Sequence, residues 1–154
     1  MQNKTLILPS PAGLLEIHTG QKGVFRLSFL SQKEPPPQWK PPNTPLGRWL
    51  EDYREGGTRP FPWGGMDLQI GTPFEQKVWK ILWEIPYGSV VSYGWVAKKL
   101  GMKGARAIGR ANGKNPLPIL IPCHRVISAD GSLGGYSSGI EIKTKLLRHE
   151  GINL

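Results

Sequence analysis

Cys123 is the only cysteine in this chain of 154 residues, and it sits in the stretch Ile119-Leu120-Ile121-Pro122-Cys123-His124-Arg125-Val126. These neighbours suit nucleophilic chemistry. An imidazole can take the thiol proton, and a guanidinium close by favours thiolate over thiol. Three apolar residues, two of them β-branched, read as a short buried strand running into a proline. Pro122 fixes its own φ and biases Ile121 toward extended backbone, so the thiol is presented stiffly. Adjacent residues of a strand point to opposite faces. His124 therefore reaches the sulfur only if the chain turns or a water bridges them, and the water is the expected device. A lone cysteine is more often a small buried hydrophobe, and it is the context that raises this one.

The rest of the chain has to position that group. Hydrophobic residues make up 38% of the sequence, enough for a modest core in one domain or two small ones. There is no apolar run of membrane-spanning length and no charged-then-apolar leader, so a cytoplasmic, soluble protein with no membrane partner is expected. One cysteine excludes an internal disulfide framework. Three scattered histidines, His18, His124 and His149, form no ligand cluster, so no metal is expected. The net charge of +9 is unevenly distributed: residues 1–69 carry +2 and residues 70–154 carry +7. That asymmetry favours a polyanion as partner of the second half, most plausibly a nucleic acid.

Residues 4–8, 13–18 and 23–30 are short, partly alternating and separated by Pro or Gly, which predicts three antiparallel strands. Glu34 to Pro45 holds six prolines and reads as an extended connector. Leu46, Trp49, Leu50 and Tyr53 have helical spacing, and Gly56-Gly57 ends that helix. A boundary near residue 70 separates an N-terminal scaffold, 1–69, in which no chemistry is evident, from a C-terminal unit, 70–154.

Thr72-Pro73-Phe74-Glu75 is a helix start with a capping box, and Val78, Trp79, Leu82 and Trp83 supply its apolar face up to Pro86. Ser92 caps a helix from Tyr93 to Leu100 that Gly101 stops, and a further helix runs from about Ala105 to Gly113. Two short helices joined by a Gly-containing turn predict a helix-turn-helix. Its second helix alternates small residues, Ala105, Ala107, Gly109, Ala111 and Gly113, with the basic Arg106, Arg110 and Lys114. It is poorly furnished for reading the major groove but suits a minor groove and phosphates. Small residues also serve tight helix packing. Ser138-Gly139-Ile140-Glu141 repeats the capping-box pattern before a last helix with Ile142, Leu146 and Leu147. Glu150 stands at that helix's C-terminus, where the dipole disfavours a carboxylate, so another contact is expected to retain it.

Pro122-Cys123-His124-Arg125-Val126, preceded by Asn115-Pro116, resembles the acceptor-cysteine motif of the O6-alkylguanine-DNA alkyltransferases. The resemblance runs from about Gly71 to the C-terminus. It implies an α+β protein: a small N-terminal antiparallel-sheet domain, RNase H-like, followed by a C-terminal helical domain carrying the helix-turn-helix. It implies irreversible, stoichiometric transfer of an alkyl group from O6 of guanine to Cys123, without a cofactor, by a monomer acting on double-stranded DNA after the nucleotide is flipped out.

Residue by residue, the resemblance gives His124 the thiol proton through a water, Glu150 the orientation of His124, and Asn115 the bracing of the active-site turn. Tyr93 lies against the base and donates to its N3. Arg106 enters the base stack, with Arg110, Lys114, Ala105 and Ser92 at the DNA surface. Val126, Tyr136, Ser137, Ser138 and Pro118 wall the guanine pocket.

Departures from the family pattern bear on range. The cysteines of the zinc site that some members carry are missing, and Ser138 stands where several have glycine near the alkyl group. The competing readings are an alkylated-DNA-binding protein that does not react, a helix-turn-helix regulator, and a cysteine hydrolase. The first lacks the acceptor cysteine in the family; the other two predict sequence preference and turnover.

Overall fold

The protein is described here by a computed structural model covering residues 3–31 and 37–154. Strands β1 (Lys4–Ser10), β2 (Gly13–Gly20) and β3 (Gly23–Ser31) form an antiparallel meander in that order. The three strands expected from alternation are therefore present, each slightly longer. Pairing of Leu8 with Leu15 and of Ile17 with Leu27 puts these four buried residues, from all three strands, on one face, as the two-residue period of a half-buried sheet requires. Gly23 opens β3 at φ 123°, and a Cβ there would collide with the Gly65 carbonyl.

Of the expected proline-rich connector, Glu34 to Pro45, residues 34–36 lie outside the described residues. Helix α1 (Pro45–Arg54) begins one residue before its apolar stripe, because Pro45 takes the first helical position and the Thr44 hydroxyl accepts from the Gly47 amide at 3.0 Å. Leu46, Leu50 and Tyr53 are buried. Trp49 is only half-buried and stacks on Tyr53 with centroids 5.4 Å apart.

Helix α2 (Pro73–Trp83) starts in the capping box read from sequence: the Thr72 hydroxyl accepts from the Glu75 amide at 3.1 Å, and the Glu75 carboxylate accepts from the Thr72 amide at 2.9 Å. Its Trp79 is buried and donates its indole N–H to the Ala111 carbonyl at 2.9 Å, tying α2 to helix α4 (Arg106–Gly113). Between them, α3 (Tyr93–Lys99) is capped by Ser92, whose hydroxyl accepts from the Trp95 amide at 3.0 Å, and Gly101 follows it at φ 69°. Two-residue strands β4 (Val91–Ser92) and β5 (Val126–Ile127) pair in parallel, and α5 (Ile140–His149) closes the chain. One hydrophobic cluster runs across residue 70, from Leu8, Leu15 and Leu27 through Val78 and Trp79 to Leu117, Leu120 and Ile121. The Leu27 amide also donates to the Pro116 carbonyl at 2.9 Å, joining the β3 edge to the segment that leads into Cys123. No helix among the described residues is long and apolar enough to cross a membrane.

Two expectations need correcting. Ile119–Ile121 is buried as read, but it is a turn rather than a strand, with Ile119 at φ 75°. The second capping box does not form: Gly139 at φ 106° is the N-cap of α5, so Ser138 lies one residue too early for its hydroxyl to reach the first turn.

Candidate functional site

The acceptor segment is shaped by hydrogen bonds that an apolar run conceals. Asn115 brackets it: its Oδ1 accepts from the Leu117 amide at 2.9 Å and its Nδ2 donates to the Ile121 carbonyl at 2.8 Å. The Ile121 amide returns to the Leu117 carbonyl at 2.9 Å. Ile119 is held within this loop in left-handed backbone, a conformation that costs a β-branched residue on the order of 1–3 kcal/mol. Pro122, at φ −77° and ψ 66°, then forms an inverse γ-turn, with the Cys123 amide donating to the Ile121 carbonyl at 2.7 Å. Cys123–Arg125 is a single 3-10 turn leading into β5. The chain therefore turns at the cysteine, and the opposite-face geometry of a strand does not apply.

Cys123 is 3% exposed, and its thiol points at the Tyr136 hydroxyl 3.8 Å away. Burial pushes the thiol pKa up, while the Asn115 and Tyr136 hydrogen bonds and the Lys143 charge pull the other way. Arg125 does not perform the expected service of favouring thiolate. Its guanidinium is spent on Glu150, Nε to Oε1 at 2.7 Å and Nη2 to Oε2 at 3.0 Å, with Nη1 on the Ile85 carbonyl at 2.7 Å. A charge neutralised in a bidentate pair exerts little pull on a third group.

His124 Nε2 lies 2.6 Å from Glu150 Oε2, and neither side chain is exposed. A carboxylate only accepts, so Nε2 carries the proton and Nδ1 presents its lone pair. Nδ1 has no partner among the described residues. Burial holds the imidazole pKa below its ordinary value against the opposing pull of Glu150, so His124 rests neutral, as a base. Glu150 caps the C-terminus of α5, and what retains it there is a ring of donors: His124, Arg125 and the Tyr53 hydroxyl at 2.7 Å. Burial alone would raise its carboxyl, but the hydrogen bonds from His124 and then Arg125 outweigh burial and hold it well below the usual range.

The remaining sequence-derived residues fall into three groups. Tyr136 touches the thiol, Val126 is buried in β5, and Tyr93 is half-buried at the start of α3, its phenol pushed up by burial and then by its proximity to Cys123. Asn115, Pro118, Ser137 and Ser138 instead line a 520 Å³ cavity against β3, whose walls do not include Cys123, Tyr93, Val126 or Tyr136. Arg106 and Arg110 on α4 and Lys114 at its C-cap are exposed, with Lys114 Nζ 3.6 Å from Glu75, and the N-cap Ala105 makes no side-chain hydrogen bond. Ala111 is buried, but Cβ atoms added at Gly109 and Gly113 would meet nothing within 4 Å, so packing does not require those two glycines. The Ser92 hydroxyl is committed to its helix cap.

Two further side chains, which no local sequence motif marks, take part. Tyr53 belongs to the stretch taken as scaffold without chemistry, yet it reaches Glu150 across 97 residues. Lys143, with no exposed surface, donates Nζ to the carbonyls of Val126 (2.8 Å), Leu133 (2.6 Å) and Gly135 (3.2 Å). Burial lowers its pKa to about 8, with Cys123 acting in the opposite direction. The available signal was position: Lys143 is four residues before Leu147, on the core-facing side of α5.

Comparison with known proteins places this geometry. Residues 73–152 match the family model described as 6-O-methylguanine DNA methyltransferase, DNA binding domain. The methylated-DNA–protein-cysteine methyltransferase of Methanosarcina barkeri (strain Fusaro / DSM 804) is 42% identical, with 96% of this chain and 97% of the relative covered. That of Shigella flexneri is 55% identical, with 90% and 74% covered. Among solved structures, Mycobacterium tuberculosis OGT in complex with DNA superposes with TM-score 0.80 at 38% identity, over 97% of this chain and 92% of that one. By family model, by relatives matched over nearly its whole length and by fold, this chain belongs to the O6-methylguanine-DNA methyltransferase family.

Proposed function

We propose that this protein repairs DNA by moving an alkyl group from O6 of guanine directly and irreversibly onto Cys123, one group per molecule. The observation that carries the reading is the buried His124–Glu150 pair, which leaves Nδ1 as an unprotonated acceptor beside the turn that presents the only thiol. Through one water, Nδ1 takes the Cys123 proton. The sulfur attacks the alkyl carbon, the carbon–oxygen bond breaks, and its electron pair goes to O6. Tyr93, whose phenol is protonated at rest, gives that proton to N3 as the guanine leaves; the phenolate regains a proton from solvent, to which His124 releases the one it took from the thiol. The relatives' name and the DNA-bound M. tuberculosis structure support this reading.

Ionisation alone is not enough. Converting an ordinary thiol fully to thiolate is worth at most about 2 kcal/mol near neutral pH, and burial raises this thiol further. Placing the sulfur in line with the leaving oxygen contributes about 7 kcal/mol or more, which is the work of the Asn115-bracketed turn.

For DNA, α3 and α4 act as a helix-turn-helix that enters the minor groove. Open space over Gly109 and Gly113 lets the sugar–phosphate backbone approach, Arg110 and Lys114 hold phosphates, and Arg106 fills the gap left by the flipped nucleotide. Residues 70–154 form this DNA-binding and acceptor unit, and residues 1–69 form an RNase H-like N-terminal domain. Tyr136 and Val126 wall the base pocket at the thiol, while Pro118, Ser137 and Ser138 line the separate cavity against β3.

The test is incubation with an oligonucleotide duplex carrying labelled O6-methylguanine, followed by peptide mass mapping. One methyl per protein on Cys123 is expected. Binding without transfer, or many products per protein, would overturn the reading.

A further inference from the structure

Glu150 is held from two directions. His124 and Arg125 come from the acceptor turn, and Tyr53 comes from the end of α1 in the N-terminal half. Oε2 alone receives three donors: Tyr53 Oη at 2.7 Å, His124 Nε2 at 2.6 Å and Arg125 Nη2 at 3.0 Å. Tyr53 is 2% exposed, and its ring is fixed by Trp49 stacked on one face and by His149 with centroids 4.9 Å apart. His149 Nε2 also hydrogen-bonds the Tyr53 carbonyl at 2.6 Å, so the α1 terminus and the α5 terminus are clasped at the same place. The phenol is pushed well above its ordinary pKa by burial and then by Glu150, so it remains a neutral donor.

We infer that Tyr53 is a positioning residue for alkyl transfer, by which the N-terminal half sets how tightly Glu150 holds the His124 proton. This rests on the proposed function. A carboxylate oxygen shared among three donors gives each less of its charge, so the phenol competes with the imidazole for Oε2. Removing that donor returns charge to the His124 bond and makes the imidazole easier to protonate. A protonated His124 has no lone pair on Nδ1 and cannot accept the thiol proton. The other charged or titratable groups acting on this pair are Arg125 and Lys143 on His124, and Tyr87 and Tyr136 near Glu150, and a single change at residue 53 leaves all four in place.

The experiment measures single-turnover transfer from a soluble O6-alkylguanine base, between pH 5.5 and 9, for wild type, Tyr53→Phe and Tyr87→Phe. In Tyr53→Phe the acid limb of the rate profile is expected to move up by roughly half a pH unit or more, with severalfold slower transfer near pH 6.5 and a high-pH rate close to wild type. Tyr87→Phe removes a neighbouring phenol that donates to the His149 carbonyl rather than to the carboxylate, and it keeps the wild-type profile. A Tyr53→Phe profile that superposes on wild type, or one lowered equally at every pH, would overturn the inference and leave Tyr53 a merely structural residue. Absence of transfer in wild type would instead overturn the function reading itself.

Discussion

His124 and Glu150 are 26 residues apart in the chain and 2.6 Å apart in space, and Arg125, the next residue after His124, binds the same carboxylate through two nitrogens. One buried carboxylate thus does two things: it fixes the imidazole tautomer, and it neutralises the buried guanidinium. The base and the fold depend on the same two oxygens, so any change that weakens Glu150 is expected to show in stability as well as in transfer.

The pH dependence of stability follows from this. Glu150 has a folded pKa below its unfolded value, so its contribution is fully present above about pH 4.3 and is lost as pH falls through the folded value. His124 also has a lowered folded pKa, so below about pH 6.5 the unfolded chain binds the extra proton. Both groups make the protein less stable as the solution becomes acid. Urea midpoints are expected to decline from near pH 6.5 and to steepen below about pH 4.3. Glu150→Gln, which leaves Arg125 without its counter-charge, is expected to lose about 3–5 kcal/mol at neutral pH and to flatten the acid part of that curve. An unchanged midpoint for the variant would contradict the assignment.

Legibility in the sequence followed the range of the deciding interaction. The α2 capping box is a local pattern over four residues, and it forms as read. Glu150 was marked as out of place against the helix dipole, and the donors that hold it are present. Ile119–Ile121 looked like a strand because periodicity cannot register that the Asn115 side chain, bonded to both ends of the loop, competes with any ladder. Arg125 was expected to act on its neighbour Cys123, but a carboxylate 25 residues away claims it. Tyr53 carried no local signal: an apolar-stripe tyrosine looks the same whether or not its hydroxyl meets a carboxylate 97 residues on.

Arg106 separates DNA handling from chemistry. It is exposed at the start of α4, away from the buried relay. If Arg106 fills the gap as proposed, Arg106→Ala is expected to slow repair of an O6-methylguanine duplex by roughly tenfold or more, since extruding the nucleotide costs a few kcal/mol. Reaction with the free alkylguanine base should stay close to wild type. Equal losses on both substrates in parallel rate measurements would remove Arg106 from that role.

Asn115 tests whether the turn itself is what aims the sulfur. Asn115→Ala removes both brackets around a loop that holds Ile119 in left-handed backbone, and it leaves the buried Ile121 carbonyl with the Cys123 amide as its remaining donor. A stability loss of about 1–3 kcal/mol is expected from denaturant titration. Transfer to the free base should fall further than that loss explains, because the folded fraction remains high while the thiol loses both its aim and the Asn115 hydrogen bond that eases its ionisation. A variant with wild-type rate per folded molecule would show that the turn needs no side-chain bracket.

Lys143 tests whether the loop carrying Tyr136 needs an internal clasp. The ammonium joins β5 to the Leu133 and Gly135 carbonyls, and so holds the loop over Cys123. Lys143→Met keeps the apolar stem and deletes the donors, leaving the buried Val126 carbonyl unpaired at a cost of about 1–3 kcal/mol. Amide hydrogen exchange is expected to quicken across residues 128–139 while α2 stays protected, and transfer from both duplex and free base should slow together because the thiol loses a wall and a nearby charge. Lys143→Arg should not rescue it, since a planar guanidinium cannot direct three donors at carbonyls gathered around a single point. Unchanged exchange in the loop would mean that other contacts close the pocket and that the buried ammonium is dispensable to it.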